Sequence, residues 1–267
     1  MRIFLKLGGS LITEKDQAFT ARHETITRIA GEIVQARAGL PDLQLLIGHG
    51  SGSFGHFAAH GLGTRDQVRT HDEWLGFQKV WLAARQLNQI IVEEFSAVGL
   101  PVMAFPPSAS VLTENRSVAV WNKTPLSQVL QQGLIPVIHG DVIVDSCLGG
   151  IILSTEELFV ELVEQLQPNL ILLAGLESGV WQDYPTNTRL TPVIETGETQ
   201  SILDKVTSSS SIDVTGGMRA KVQLMLSLVE KHPYLQARIF SGEKTGNIFQ
   251  SLHGATIGTT IRHLGNS

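Results

Sequence analysis

Arg2-Ile3-Phe4-Leu5-Lys6-Leu7-Gly8-Gly9-Ser10 reads as a strand that runs straight into a glycine turn. A short aliphatic run closed by glycines is half of an α/β unit when a helical period follows it. One does: Ile26, Ile29, Ala30, Ile33 and Val34 share one helical face. The alternation then repeats. Aliphatic runs recur at Leu43 to Gly48, Pro101 to Phe105, Leu134 to Ile138, Asn169 to Ala174, Ala237 to Ser241 and Ala255 to Ile261. Between the second and third, Trp74, Phe77, Val80, Trp81, Ala84, Leu87, Ile90, Ile91 and Phe95 form one stripe over about six helical turns, which predicts a long, well-buried helix. The pattern is that of α/β layers around a mainly parallel sheet.

The middle of the chain differs. Ser117 to Trp121, Val142 to Val144 and Gly150 to Leu153 are short strand-like pieces separated by Gly-Asp and Gly-Gly turn signals, and they predict small hairpins beside the main sheet. Gly175 to Ser211 is rich in Thr, Ser, Pro and Gly, with a weak helical piece at Gln200 to Lys205, and reads as a mobile stretch. No internal repeat or linker interrupts the chain, so residues 1–267 are expected to form a single domain. A seam near Leu166 to Asn169 divides it into two lobes, about 1–167 and about 168–267.

Composition sets outer limits. With 267 residues, 42% apolar and 17% charged, the chain can build a core without staples, and it is not a disordered or fibrous sequence. Its single cysteine, Cys147, excludes an intramolecular disulfide and a cysteine-built zinc site, and fits a reducing compartment. A net charge of −5 argues against a general nucleic-acid binder. The first residues lack a signal-peptide layout and no run is long enough to span a membrane, so a cytoplasmic location is expected.

Three glycine turns, each at a strand–helix junction, could carry chemistry. The first is Gly8-Gly9-Ser10, with Lys6 before it and Lys15 on the polar loop after it; backbone N–H groups there can approach an anion closely. The second is Gly48-His49-Gly50-Ser51-Gly52-Ser53-Phe54-Gly55-His56, preceding an expected helix at His56 to His60. Gly50, Gly52 and Gly55 satisfy G-x-G-x-x-G, but no strand ending in an acidic residue follows, so a dinucleotide fold is a distant alternative. His56 and His60 are spaced i, i+4 with His49 nearby, yet no carboxylate completes a metal site, and an anion-facing His56 is favoured. The third turn is Asp213-Val214-Thr215-Gly216-Gly217-Met218-Arg219-Ala220-Lys221, which opens an amphipathic helix through Val222, Met225 and Val229. Each turn alone has a plain reading as a strand end or helix cap; together they point to a highly charged anion. Neither a P-loop motif nor the H-R-D and D-F-G pair of protein kinases is present.

In this order, Lys6 to Ser10, Gly52-Ser53-Phe54-Gly55-His56, Gly140-Asp141-Val142, Asp213 to Met218 and Gly258-Thr259-Thr260-Ile261 resemble the amino-acid-kinase superfamily over nearly the whole chain. Ser-Phe-Gly-His and Asp-Val-Thr-Gly-Gly-Met resemble its isopentenyl phosphate kinase branch. The resemblance implies an open αβα sandwich, usually a homodimer, that transfers the γ-phosphoryl group of ATP to isopentenyl phosphate, with the acceptor in the N-terminal lobe and the nucleotide in the C-terminal lobe. It implies phosphate-binding roles for Lys6, Lys15 and Lys221, with Lys15 at the position that stabilises the transition state. It places Gly8, Gly9, Ser10, Gly52, Gly216 and Gly217 around the ATP phosphates, and Ser51, Gly52, His56 and Thr155 at the acceptor. The chain departs from the family where Ser154-Thr155-Glu156 replaces Ser-Gly-Asp, and where Gly175-Leu176-Glu177-Ser178 replaces an acidic Thr-Asp-Val-Asp run.

Such a reaction needs little covalent chemistry. A phosphate monoester has its second pKa near 6 and attacks without a general base. What must be supplied is alignment of two polyanions and neutralisation of the transferring group. Lysines, glycine N–H groups, His56 and Mg²⁺ carried on the ATP phosphates meet that need, with Asp141 and Asp213 expected to orient lysines and no dedicated protein metal site. The alternatives are a kinase for another small acid or phosphate ester, of the uridylate-, acylamino-acid- or fosfomycin-kinase kind, or a non-catalytic nucleotide or oxyanion binder on the same fold.

Overall fold

The computed structural model describes residues 1–59, 66–197 and 217–265. The chain opens with β1 (Arg2–Leu7), α1 (Gly9–Ile12), α2 (His23–Gly39), β2 (Gln44–His49), α3 (Gly52–Ala59) and α4 (His71–Ala97). It continues through β3 (Val102–Ala104), a 3-10 turn at Pro107–Ala109, β4 (Val111–Glu114), β5 (Ser117–Trp121), α5 (Thr124–Gln131), β6 (Ile135–His139), β7 (Asp141–Asp145), β8 (Gly149–Leu153) and α6 (Thr155–Leu166). After β9 (Leu170–Gly175) come β10 (Val180–Trp181), β11 (Leu190–Thr191), β12 (Val193–Glu195), α7 (Gly217–Lys231), β13 (Gln236–Ser241), α8 (Asn247–Leu252) and β14 (Thr259–Arg262).

Among the described residues, eight strands form one sheet in the order β12-β14-β13-β9-β1-β2-β6-β3, and only the β13–β14 pair is antiparallel. The expected α/β class with a mainly parallel sheet is what the chain adopts. The strands are buried on both faces because helices cover both, so they read as continuous aliphatic runs. One core holds Ile3, Leu5, Leu45 and Ile47 against α2 and α4; the other holds Phe4, Leu46, Ile171 and Ala237 against α6 and α7. The sheet is continuous across residues 166–169, where β1 pairs with β9.

From β1 the chain builds outward to β2 and β6, then returns to place β9 on the other side. The strand order therefore reverses at β1, and in open α/β sheets ligands bind outside the carboxyl ends of the strands at such a point. The three expected hairpin pieces belong to a second, four-stranded sheet, β5-β4-β7-β8. Its fourth member, β4, is too short and mixed in composition to stand out in the sequence. Asp145 knits this sheet together, accepting from Thr113 Oγ1 (2.8 Å) and from the N–H groups of Arg116, Cys147 and Leu148 (2.9 Å each).

Two boundaries differ from the sequence reading. The helix expected from His56 begins at Gly52, so half of the glycine loop is already the first turn of α3. The last strand covers only Thr259–Arg262, because the preceding Gly258 has φ +82 and turns the chain. The long helix α4 is as expected, and starts at a capping box in which Thr70 Oγ1 accepts from Glu73 N (3.3 Å) and Glu73 Oε2 accepts from Thr70 N (2.8 Å). The helical piece at Gln200 to Lys205, and the residues Asp213, Gly216 and His60, lie outside the described residues. Among the described residues no helix is long and apolar enough to cross a membrane.

Candidate functional site

The carboxyl ends of β1, β2, β6 and β9 are stitched into one edge by backbone hydrogen bonds. Gly8 N donates to Ala174 O (2.8 Å), Gly50 N to Leu7 O (3.0 Å) and Gly140 N to His49 O (3.1 Å). The first two glycine turns press backbone to backbone: a Cβ on Gly9 would lie 2.4 Å from Gly52 N, and one on Gly50 would lie 2.9 Å from Gly9 N. Side chains here would fill the cradle. Gly52 is also at φ +50, where a Cβ would meet Thr13 Oγ1 at 2.2 Å. The same Thr13 hydroxyl accepts from Ser53 N (2.9 Å) and donates to Gly9 O (2.9 Å), locking the turns together.

Lys6 closes β1 beneath this edge, only 6% exposed, and its ammonium pairs with Glu156. Glu156 sits in the first turn of α6, which starts at a capping box: Ser154 Oγ accepts from Glu157 N (3.2 Å) and Glu157 Oε2 from Ser154 N (2.7 Å). Burial pushes the Glu156 carboxyl up, but the charges of Lys6 and Lys221 outweigh it and hold the group below its ordinary value, so it is ionised. Lys221 projects from α7 one turn in from its start. The fold thus brings Lys6, at residue 6, and Lys221, at the far end of the sequence, to one buried carboxylate.

The remaining expected residues are distributed as follows. Ser51 ends the glycine loop and accepts from Gly55 N (3.2 Å), and His56 stands half-exposed on α3 with its ring 5.7 Å from Phe57. Ser10 is exposed in α1, and Lys15 lies on an exposed loop closed by the Thr13–Ala21 bridge. Gly217, at φ +66, opens α7. Thr155, expected at the acceptor, is buried and its hydroxyl donates to His49 O (2.6 Å), fastening α6 to β2. Asp141, expected to orient a lysine, meets none among the described residues. Its carboxylate accepts from Ser108 N (3.0 Å) and Val142 N (2.9 Å) and lies 3.5 Å from His139 Nε2. Burial pushes its pKa up. The carboxylate on Lys6 is Glu156 instead. In the sequence Glu156 stands out only as a departure from a motif, although Ser154-x-x-Glu157 marks a helix start that places it in the first turn.

Beside the glycine edge lies a cavity of about 340 Å³ lined by Phe77, Trp81, Ser108, Ala109, Val142 and Val144. It opens between α4 and the small sheet. Gly150 makes this possible: a Cβ there would lie 2.6 Å from the Phe77 ring. Trp74 stands edge-on behind Phe77, ring centroids 5.0 Å apart, and does not line the cavity. Among the described residues, no group of three or more His, Cys, Asp or Glu side chains is placed to hold a metal ion.

The chain has relatives among known proteins. Residues 1–241 match the model of the amino acid kinase family. The chain is 30% identical to the isopentenyl phosphate kinase of Methanocaldococcus jannaschii, with 98% of both chains covered. It is also 30% identical to the isopentenyl phosphate kinase of Methanothermobacter thermautotrophicus, covering 97% of this chain and 98% of that one. A crystal structure of an isopentenyl phosphate kinase, 29% identical, superposes with a TM-score of 0.81 over 98% of this chain and 100% of the other. With nine-tenths of its length inside the family's sequence pattern and its first two glycine turns pressed together on one sheet edge, the chain belongs to the amino acid kinase family.

Proposed function

We propose that this protein is a phosphotransferase that moves the γ-phosphoryl group of ATP onto isopentenyl phosphate, giving isopentenyl diphosphate. The observation that carries the reading is the juxtaposition of a glycine cradle, able to hold phosphates, with an apolar cavity of about 340 Å³. Five carbons at about the 30 Å³ of a liquid water each need roughly 150 Å³, so an isopentenyl tail fits. An acylamino acid would bring a carboxylate into the same apolar walls, which hold no cation to receive it.

ATP would lie over the β1–β9 reversal, its phosphates on Gly8, Gly9, Ser10, Gly52, Gly216 and the N-terminus of α7 at Gly217, with Lys6 and Lys221 beside the γ-phosphate and the base over residues 168–267. The cradle that a Cβ would fill fits phosphate oxygens, and Mg²⁺, which is held largely by substrate phosphates and water, would arrive with ATP and neutralise its charge. The acceptor would lie over residues 1–167, its phosphate on the N–H groups of Ser51, Gly52 and Thr155 and on His56, its tail toward Phe77 and Trp81. Glu156 holds the two lysines at a fixed spacing, Lys15 reaches in from its loop as the phosphoryl group transfers, and Asp213 orients Lys221. No general base is required. A homodimer is in keeping with the exposed Leu75 and Leu82, two turns apart on α4, and a cytoplasmic location with the single free cysteine.

The direct test is a coupled ADP-release assay with ATP, Mg²⁺ and a panel of isoprenyl monophosphates, uridylate, N-acetylglutamate and fosfomycin. Turnover of isopentenyl phosphate is expected; turnover of another acceptor alone would sink the assignment while sparing the kinase fold.

Four variants probe the acceptor side. His56→Ala is expected to lose most activity and His56→Gln distinctly less, since glutamine keeps a donor, with ATP affinity unchanged in both. Equal losses would remove His56 from the acceptor phosphate. Phe77→Ala or Trp81→Ala is expected to raise activity on geranyl phosphate relative to isopentenyl phosphate, because each lengthens the cavity. An unchanged ratio in both would reject the tail position.

A further inference from the structure

Behind the glycine edge lies a buried polar stack that the phosphoryl transfer itself does not use. His49 and His139, the last residues of β2 and β6, are 0% and 2% exposed and stack at 5.3 Å with a 12° interplanar angle. His49 Nδ1 is 3.0 Å from Gly50 O, and Nε2 is 3.1 Å from Oδ1 of Asn88, a buried residue of α4. Burial and the neighbouring His139 push the His49 pKa down to about 3, so the ring is neutral and holds one proton. Gly50 O and Asn88 Oδ1 are both acceptors, so the single proton serves one of them at a time; with it on Nδ1 the ring donates to Gly50 O, and a half-turn of the Asn88 carboxamide, which exchanges its oxygen and nitrogen, lets Nε2 accept from the amide.

This bond has a consequence on the other side of the peptide. In a trans peptide the C=O of Gly50 and the N–H of Ser51 point in opposite directions. Tying Gly50 O inward to His49 therefore turns the Ser51 N–H outward, toward the glycine edge. Among the described residues that N–H has no hydrogen-bond partner. We propose that His49 is a positioning residue for the acceptor phosphate: clamped between Asn88 and His139, it holds the peptide between Gly50 and Ser51 so that the Ser51 N–H faces the phosphate.

The inference rests on the functional reading above. Nothing in it requires His49 to touch the ligand. Asn88 lies two turns beyond Trp81 on the same stripe of α4, so the helix that walls the tail cavity also sets the tilt of the ring behind the phosphate loop.

Two substitutions at one position separate positioning from packing. His49→Phe keeps a stacking ring and loses the donor; His49→Asn loses the ring and keeps an N–H near the place of Nδ1. Calorimetric titration with isopentenyl phosphate and with methyl phosphate is expected to show roughly tenfold weaker binding of both ligands to His49→Phe. His49→Asn should bind within about threefold of the wild type, and ATP affinity should be unchanged in each. The reverse order, with His49→Phe normal and His49→Asn impaired, would mean that the ring only fills space and would overturn the inference. Should His49→Phe not fold, His49→Leu takes its place: it too removes the donor to Gly50 O, and unchanged affinity for both phosphates would overturn the inference equally. A wild-type protein that binds methyl phosphate but not isopentenyl phosphate would defeat the functional reading and leave the role of His49 standing.

Discussion

Lys221→Ala and Lys15→Ala are each expected to lower turnover by about 10² or more, the scale for removing one electrostatic stabiliser of a transition state. The two losses should arise differently. Lys221 is half-buried and its charge reaches Glu156, so on the proposed reading its removal would take away a phosphate ligand and also leave the carboxylate less neutralised beside an incoming polyanion. Lys15 is exposed on a loop, so its removal should act on kcat alone, with the KM for ATP little changed. Folding should be unaffected in both. Lys6 is a different case. It is buried against Glu156, and breaking a buried pair by removing one partner costs about 3–5 kcal/mol, so Lys6→Ala should lower the melting temperature as well as the rate. Full activity in both Lys221→Ala and Lys15→Ala would show that charge neutralisation does not drive the reaction, and would favour a non-catalytic phosphate binder.

Acid should unfold this protein early, through the same histidine stack that lies behind the glycine loop. Burial holds His49 at about 3 and His139 at about 4, against an ordinary value of 6.5. Below pH 6.5 the unfolded chain takes up protons at these sites and the folded chain does not, so stability is complete above that value and falls as pH drops toward 4 and then 3. At about 1.4 kcal/mol per pK unit the pair places several kcal/mol at stake. Asp141, pushed up by burial, works the other way, gaining protons in the folded state as the pH falls, and offsets part of the loss. Asp145 adds to it: burial would raise its pKa, but its ring of N–H donors holds it well below the ordinary carboxylate range, and this support disappears only below about pH 4. A drop of roughly 10 °C in melting temperature between pH 7 and pH 5 is expected for a chain of this size. His139→Gln should flatten that slope while lowering stability at pH 7. A melting temperature constant from pH 7 to pH 4.5 would mean that the stack does not govern acid stability.

Much of the architecture was open to reading in the chain alone. The main-sheet runs, apart from the short β12, the long α4 and the three hairpin pieces are all visible as apolar periods broken by glycine, because a strand buried on both faces and a helix buried on one leave different spacings. The glycine turns were legible for the same local reason: a backbone that must approach another backbone cannot carry a Cβ, and Gly9, Gly50 and Gly52 show this at 2.4–2.9 Å.

What the chain could not disclose are the pairings between residues far apart along it. That Glu156, 150 positions from Lys6, is its carboxylate follows from α6 packing on β2, where Gly48 leaves room for Thr155 and Phe159. Asp141 sits beside a glycine just as a lysine-orienting residue would, yet the corner between β6 and β7 turns it to Ser108. His49, His139 and Asn88 lie on three different elements, and each taken singly is an unremarkable polar residue near a strand end or in a helix. Local spacing determined which segments are strands, helices and phosphate-sized turns, since those depend on backbone freedom and on the period of burial. Tertiary packing alone decided which charge meets which, because a buried ion or imidazole takes the partner that the converging strand ends bring within reach, whatever its distance in sequence.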